Sequence, residues 1–399
     1  MGGRALPSIK KTGIKGYANL LASGFDTIVE TFNMAMPDEL LFRLKKAKEG
    51  ALARDARKTA IVSLNFGGEE LQIRAHGGRG AIFILDHPDF SMDIRSEKTD
   101  WNISIRYSSC GLWQYGVKSM RERVSKMLLQ ECFPKTDGNL RWAQLSCAHV
   151  AFDFYSEAFT SEMRPEILGR FVSHSSSKKH MNFEFKPEKG SAWGRAGYLE
   201  TVTLGNKKTV EVQVYNKGKE ITEVSGKTWM YKVWEREGYY PPEDQKAVNV
   251  WRLEVRFGKD YLDNRNIKTF ENFSASLPEV IAEALFSKRL TIKNEDINIR
   301  RRPLHPLWAM AWDNSGAANK MLPIGKQLEK SGDAYFQMMK AQNAGLQRAM
   351  AQLSYGCSEE EDMMEMARMA NDHAKNDKDH DLKSDKVSER YKHLHVARG

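Results

Sequence analysis

"TVEVQVYNKGKE", residues 209–220, decides how the fold is read. In an extended chain residues two apart share a face. Val210, Val212 and Val214 therefore point one way while Glu211, Gln213 and Tyr215 point the other. The same alternation in "VWRLEVRF", 250–257, opposes Arg252, Glu254 and Arg256 to Trp251, Leu253, Val255 and Phe257. In "AQLSCAHVAFDFY", 143–155, His149, Ala151 and Asp153 share one face, and Val150, Phe152 and Phe154 share the other. Three strands from distant parts of the chain thus set a polar face against an apolar backing. This predicts an α+β protein with a mixed or mostly antiparallel central sheet, flanking helices and a helical C-terminal region.

Working outward, "DTIVETF" from Asp26 reads as a short strand, and Pro37 and Asp38 start a helix running to about Arg57 with Leu40, Leu41 and Leu44 on one side. Strands follow at Ile61 (IVSLNF), Glu70 (ELQIRAH), Ala81 (AIFIL) and Asn102 (NISIRYSS). The cluster Gly77-Gly78-Arg79-Gly80 is a hairpin turn rather than a phosphate loop, because no helix follows it. Val117 to Cys132 carries apolar residues at helical spacing. The stretches SHSSSKKH (173–180) and GSAWGRAG (190–197) read as basic, exposed loops. LETVTLG and TVEVQVY form a strand pair, and a helix is expected around Trp229 to Trp234. The organisation predicted is a basic segment at 1–20, an α+β domain at 20–260, a helical region at 261–355 and a charged, flexible tail at 356–399.

With 399 residues the chain is long enough for a large core and more than one folding unit. Its 61 Lys and Arg against 52 Asp and Glu leave a net charge of +9, which favours a polyanionic partner. Cys110, Cys132, Cys147 and Cys357 lie far apart, with no CxxC spacing, so neither a zinc site nor a disulfide framework is indicated. No apolar h-region follows the basic N-terminus, and no run reaches the roughly 18 apolar residues of a membrane span. The expectation is a soluble protein of a reducing cytoplasm, with no membrane partner.

If the three alternating strands are neighbours, His149, Asp153, Tyr215 and Glu254 converge on one surface. Carboxylate oxygens and imidazole nitrogen are ligands for Mg²⁺ or Mn²⁺, and such a cation polarises a phosphate for attack by a hydroxyl. Tyrosine, with an ordinary pKa of about 10, needs that cation or a nearby lysine to act as a nucleophile. Lys217 lies just beyond the strand end. An antiparallel sheet often keeps one face solvated, so alternating charge by itself requires no site.

"GYLETVTLGNKKTVEVQVYNKGKE" (197–220), followed by "VWRLEVRF" and preceded by "HVAFDF" (149–154), resembles the replication initiation factor (Rep_trans) family of rolling-circle replication initiators, known from plasmids, filamentous phages and integrative elements. The family pattern is a Leu-Gly-Ser-Arg/Lys turn, a strand ending in Ile/Val-Tyr-Asp/Asn-Lys, and a Trp/Val-Arg-x-Glu strand. The resemblance spans roughly residues 20–300. It implies a nicking and joining endonuclease in which Tyr215 attacks an origin phosphodiester and remains on the 5′ phosphate, leaving a 3′ hydroxyl primer. Lys217 would assist it, and the metal site would fall on Asp153 and Glu254. Two positions depart from the pattern: Cys147-Ala148-His149 stands where many members have Arg-x-Asp, and Gln213 where many have Arg. His149 would then serve as a third ligand or as a strand histidine facing solvent. Implied partners are origin DNA with an extruded or single-stranded nick site, a host replicative helicase and a second copy of the chain, in a bacterial cytoplasm. Lys178, Lys179, Arg195, Lys207, Lys208, Arg252 and Arg256 are the expected DNA contacts.

Two other readings stand beside this one. A relaxase of a conjugative or mobilisable element would share the chemistry, and a non-catalytic DNA-binding protein could keep the fold without it. His393-Leu394-His395 matches the His-hydrophobe-His metal motif of another nicking class, but it lies in a charged tail with no strand pattern.

Overall fold

The computed structural model describes residues 16–54, 61–78, 80–135, 142–173, 190–195, 197–241, 249–293, 298, 301–325 and 368. The strands are β1 (Asn19–Phe32), β2 (Met34–Ala35), β3 (Ile61–Phe66), β4 (Glu69–Arg74), β5 (Phe83–Asp86), β6 (Phe90–Ile94), β7 (Ile103–Tyr107), β8 (Phe133–Pro134), β9 (Ala143–Tyr155), β10 (Phe171–Ser173), β11 (Gly190–Arg195), β12 (Tyr198–Gly205), β13 (Val210–Asn216), β14 (Val250–Phe257) and β15 (Lys288–Leu290). The helices are α1 (Asp38–Arg54), α2 (Ser109–Tyr115), α3 (Val117–Glu131), α4 (Glu157–Glu162), α5 (Lys217–Glu220), α6 (Met230–Trp234), α7 (Lys259–Asn264), α8 (Phe270–Ala275), α9 (Leu277–Ser287) and α10 (Pro306–Asp313).

An 11-stranded sheet in the order β11-β12-β13-β14-β9-β1-β7-β6-β5-β4-β3 organises the protein. Every pairing in it is antiparallel, so the fold is α+β as the alternating patterns predict. β9, β13 and β14, the three strands read from their polar faces, are adjacent at its centre. Their apolar backing is buried: Val150, Phe152 and Phe154, Val212 and Val214, and Trp251, Leu253, Val255 and Phe257 all lie in one core. Each fully buried large apolar side chain contributes about 1.5–3 kcal/mol. That backing, rather than the polar face, holds the strands in place.

Both sides of β1 are covered at its centre. On one side Phe25 meets Phe270 edge-on, with centroids 5.2 Å apart, and also Phe273 of α8. On the other side a Cβ added at Gly24 would fall 2.5 Å from the Trp113 ring of α2. Glycine is what lets the indole approach the strand so closely.

The structure differs from the sequence reading in a few elements. Gly190–Arg195, expected as a loop, is the edge strand β11, paired with β12 from Gly190↔Leu204 to Arg195↔Tyr198. An edge strand needs only one partner and carries no continuous apolar face, so its sequence lacks the alternation that marks central strands. β6 lacks a counterpart in the sequence reading, and β1 begins at Asn19 rather than Asp26. The turn at Gly77–Gly80 closes a hairpin through reciprocal Gly78 and Ala81 backbone bonds of 3.2 and 2.9 Å. The helices after Phe257 contribute Leu262, Phe273, Ile281, Leu285 and Trp308 to the same core as the sheet.

The chain forms two compact units. The described residues up to Lys217, 236–239 and 249–325 belong to the first, which holds the whole sheet. In the second, the described residues include α6, where Tyr231 and Trp234 lie 5.5 Å apart. Among the described residues no helix is long and apolar enough to cross a membrane.

Candidate active site

Antiparallel register sets the polar face of the central strands. Tyr215 of β13 lies opposite Arg252 of β14, and Arg252 lies opposite Asp153 of β9. One step along, Gln213 faces Glu254, and beyond it Glu211 faces Arg256, which faces His149. Directly opposed side chains are about 4.5–5.5 Å apart at Cβ, so long polar groups in such rows must meet.

His149 and Glu254 join diagonally, with Nδ1 3.0 Å from Oε1. The third member comes from β1. Between the pairs Phe25↔Val150 and Thr27↔His149 that strand slips register, and the extra residue is Asp26. A β-bulge re-aims the side chain it carries. Asp26 thereby joins His149 and Glu254, one ligand atom of each lying within 4.8 Å of the others. Two carboxylates and an imidazole suit Mn²⁺ or Mg²⁺ as a donor set.

The Tyr215 hydroxyl donates to Glu254 Oε2 at 3.2 Å. Lys217, buried where β13 turns into α5, places Nζ 5.8 Å from the Tyr215 ring centroid. The nucleophile candidate, its lysine and the ligand trio therefore share one surface.

Charges on this face are tightly paired. Arg252 donates from Nε and Nη2 to the two oxygens of Asp153 at 2.6 and 2.8 Å, and from Nη1 to Asp26 Oδ1 at 2.6 Å. Arg256 donates to Glu254, Glu211 and Gln213 at 2.7, 2.8 and 2.6 Å. Burial works against the charge of Arg252, but Asp153, Tyr215 and Asp26 outweigh it and hold the proton more firmly than usual. Burial likewise opposes the Glu254 carboxylate, yet His149 and Arg256 keep it well below the ordinary range. For His149 burial favours the neutral ring, whereas the hydrogen bonds to Cys147 and Glu254 raise its pKa to about 9, so near neutral pH the ring carries a proton that a bound ion would displace.

Asp153, expected as a metal ligand, does not stand with His149 and Glu254. Both of its oxygens are held by Arg252, and the two side chains are each 1% exposed. Arg252, expected on DNA, is buried at 0% exposure and its guanidinium is occupied by the two aspartates. Arg256 is turned to Glu254 and Glu211. Lys207 and Lys208 are exposed in the β12–β13 turn. They sit beyond the opposite end of β13 from Tyr215, and the five residues of strand from Val210 to Tyr215 alone span about 17 Å. Arg195 ends the edge strand β11. Lys178, Lys179 and the His393–His395 motif lie outside the described residues.

Sequence reasoning did not reach Asp26 as a ligand. The acid at the head of "DTIVETF" was visible, but only the bulge turns it to this face.

A solved structure of a rolling-circle replication initiator protein from Geobacillus stearothermophilus is similar to this chain at a TM-score of 0.37 and 14% identity, over 77% of this chain and 100% of that one. No protein-family model and no curated protein matches the chain.

Proposed function

We propose that this protein is a rolling-circle replication initiator that nicks and rejoins one DNA strand at an origin through a 5′-phosphotyrosine intermediate, with Mg²⁺ or Mn²⁺ bound by Asp26, His149 and Glu254. One observation carries the reading: the Tyr215 hydroxyl is hydrogen-bonded to a carboxylate that is itself part of a two-carboxylate, one-imidazole cluster. A solvated polar strand face needs no such convergence. The order of the Tyr-Asn-Lys and Arg-Leu-Glu segments supports the same reading from sequence.

The chemistry is a transesterification. The Tyr215 oxygen forms a bond to phosphorus as the bond to the 3′ oxygen breaks, and that oxygen leaves as a 3′ hydroxyl after taking up a proton. The phenol proton already points at Glu254 Oε2. Glu254 is a weak base because His149 and Arg256 hold its proton affinity down. Stabilisation of the phenolate therefore rests on cations: Lys217 over the ring, and Arg252 directly across the strand pair. A divalent ion bound by the trio would supply Lewis-acid polarisation of the phosphate. Arg252 fixes Asp26 through Oδ1, and Arg256 fixes Glu254 through Oε1, so two ligands are aimed before any ion arrives.

The test uses supercoiled plasmids carrying DNA from beside the gene, incubated with the protein and Mn²⁺. The expected products are an open circle and a covalent protein-DNA adduct on a denaturing gel. Tyr215→Phe removes one hydrogen bond, costs about 1 kcal/mol of stability and should abolish both products. An adduct that persists in Tyr215→Phe would move the nucleophile to another residue.

A further inference from the structure

The row containing Tyr215 continues to the edge of the sheet. Arg252 faces Tyr215, Tyr215 faces Thr201 on β12, and Thr201 faces Trp193 on β11. Directly opposed residues of a sheet share a face, so the Trp193 indole lies on the same surface as the Tyr215 hydroxyl. Two strand spacings separate them, about 10 Å. Trp193 is 53% exposed, among the most exposed large apolar side chains of the described residues.

Among the described side chains, its neighbours on that face are neutral hydrogen-bonding groups. Thr201 stands between Trp193 and Tyr215, and in the next row Gln213 donates to Thr203 at 3.0 Å. The charged groups lie inward: Lys217 stands at the Tyr215 ring, while Arg252 and Arg256 are paired with Asp153, Asp26, Glu254 and Glu211. A ligand that places an anion at Tyr215 and a flat, uncharged ring at Trp193 matches this division. Single-stranded DNA is such a ligand, with its phosphate at the inner end and an unstacked base at the outer. A duplex keeps its bases stacked on one another and offers no ring face to the indole.

Building on the nicking assignment, we infer that Trp193 is a stacking platform for an unpaired nucleobase on the strand that Tyr215 cuts. It is a positioning residue: it holds the strand and takes no part in bond making. Stacking is tolerant of base identity, since every base has a π-face. The platform therefore selects unpaired over paired DNA rather than one origin over another.

The experiment measures binding without cleavage. The full-length Tyr215→Phe protein, in EDTA, is titrated into a fluorescein-labelled oligothymidylate and, separately, into a hairpin duplex of equal charge, with anisotropy as the readout. Adding Trp193→Ala should weaken single-strand binding roughly 5- to 150-fold, the range of one lost base stack, and leave duplex binding unchanged. Trp193→Phe should recover most of the loss, which a merely misfolded edge strand would not do. Wild-type-like single-strand affinity in Trp193→Ala overturns the inference and leaves the nicking assignment standing, as does an equal loss on both DNAs. A parent protein that binds neither DNA overturns both.

Discussion

Asp153 and Asp26 sit on either side of one guanidinium, and replacing each by asparagine should have opposite consequences. Asp153 receives two hydrogen bonds from Arg252 with both side chains 1% exposed. Removing one partner of a buried ion pair costs about 3–5 kcal/mol, because the other charge is left buried without compensation. Here Asp26 remains on Nη1, which places the loss for Asp153→Asn near the lower bound, about 3 kcal/mol. At about 2–4 °C per kcal/mol for a large domain, the midpoint of thermal unfolding should fall by about 6–12 °C. Asp26 is 17% exposed, and its loss leaves Arg252 on both oxygens of Asp153. Asp26→Asn should cost about 1 kcal/mol, a shift of a few degrees at most. Mn²⁺ affinity reverses the order: Asp26→Asn removes a ligand, whereas Asp153→Asn acts only through Arg252 and should weaken binding by no more than about 10- to 100-fold. Thermal melts by circular dichroism and Mn²⁺ titration calorimetry measure the two quantities on the same samples. An Asp153→Asn protein that melts with the wild type yet binds no Mn²⁺ would show that Asp153 is a ligand and that its pairing with Arg252 is incidental.

Further outcomes follow from other parts of the molecule. Tyr17 donates to Glu162 at 2.6 Å beside the buried His305, whose Nδ1 accepts from the Leu307 amide. Burial opposes the Glu162 charge, but His305, Tyr17 and Arg170 lower its pKa to about 2, while burial holds His305 below its ordinary value. Both groups bind protons more readily in the unfolded chain, so their contribution is intact above about pH 6.5 and is lost on acidification, first through His305 and then through Glu162 between about pH 4.5 and 2. Melting temperature should fall steadily from pH 7 to 4, with a shallower low-pH slope in Glu162→Gln; a rise on acidification contradicts the assignment. Lys207→Glu with Lys208→Glu should weaken DNA binding at low salt and reduce the slope of log affinity against log salt by about one per lysine contact. Unchanged affinity at low salt would remove that turn from the DNA surface.

Much of the fold was legible because its central strands bury one face. β9 matches the sequence reading from Ala143 to Tyr155, since the alternation of Val150, Phe152 and Phe154 with polar residues has only one physical use. The same alternation puts His149, Glu254 and Tyr215 each on the polar face of its own strand, and the adjacency of β9, β14 and β13 brings those faces together. Its limit is Asp153, which shares that face yet pairs with Arg252. Alternation reports the face a side chain takes and not its partner across the strand, and the partner of Asp153 is a buried arginine. Asp26 was illegible for a related reason: a bulge breaks the period of two on which the reading depends. β11 was missed because an edge strand next to a basic, serine-rich segment has no buried face to advertise.

The charged row also explains how the site keeps its register. A one-residue slip of β14 against β9 would turn Arg252, Glu254 and Arg256 into the face now occupied by Trp251, Leu253, Val255 and Phe257. Three ionic groups would then be desolvated without partners, each at a cost of several kcal/mol. A two-residue slip keeps the faces but parts Arg252 from Asp153, leaving both buried and uncompensated. Either error costs more than the net stability of about 5–15 kcal/mol of a typical domain can readily absorb. The Arg252–Asp153 pair therefore matters less for the stability it adds than for the alignments it forbids. Only in the native alignment do Asp26, His149 and Glu254 meet and the Tyr215 hydroxyl reach Glu254.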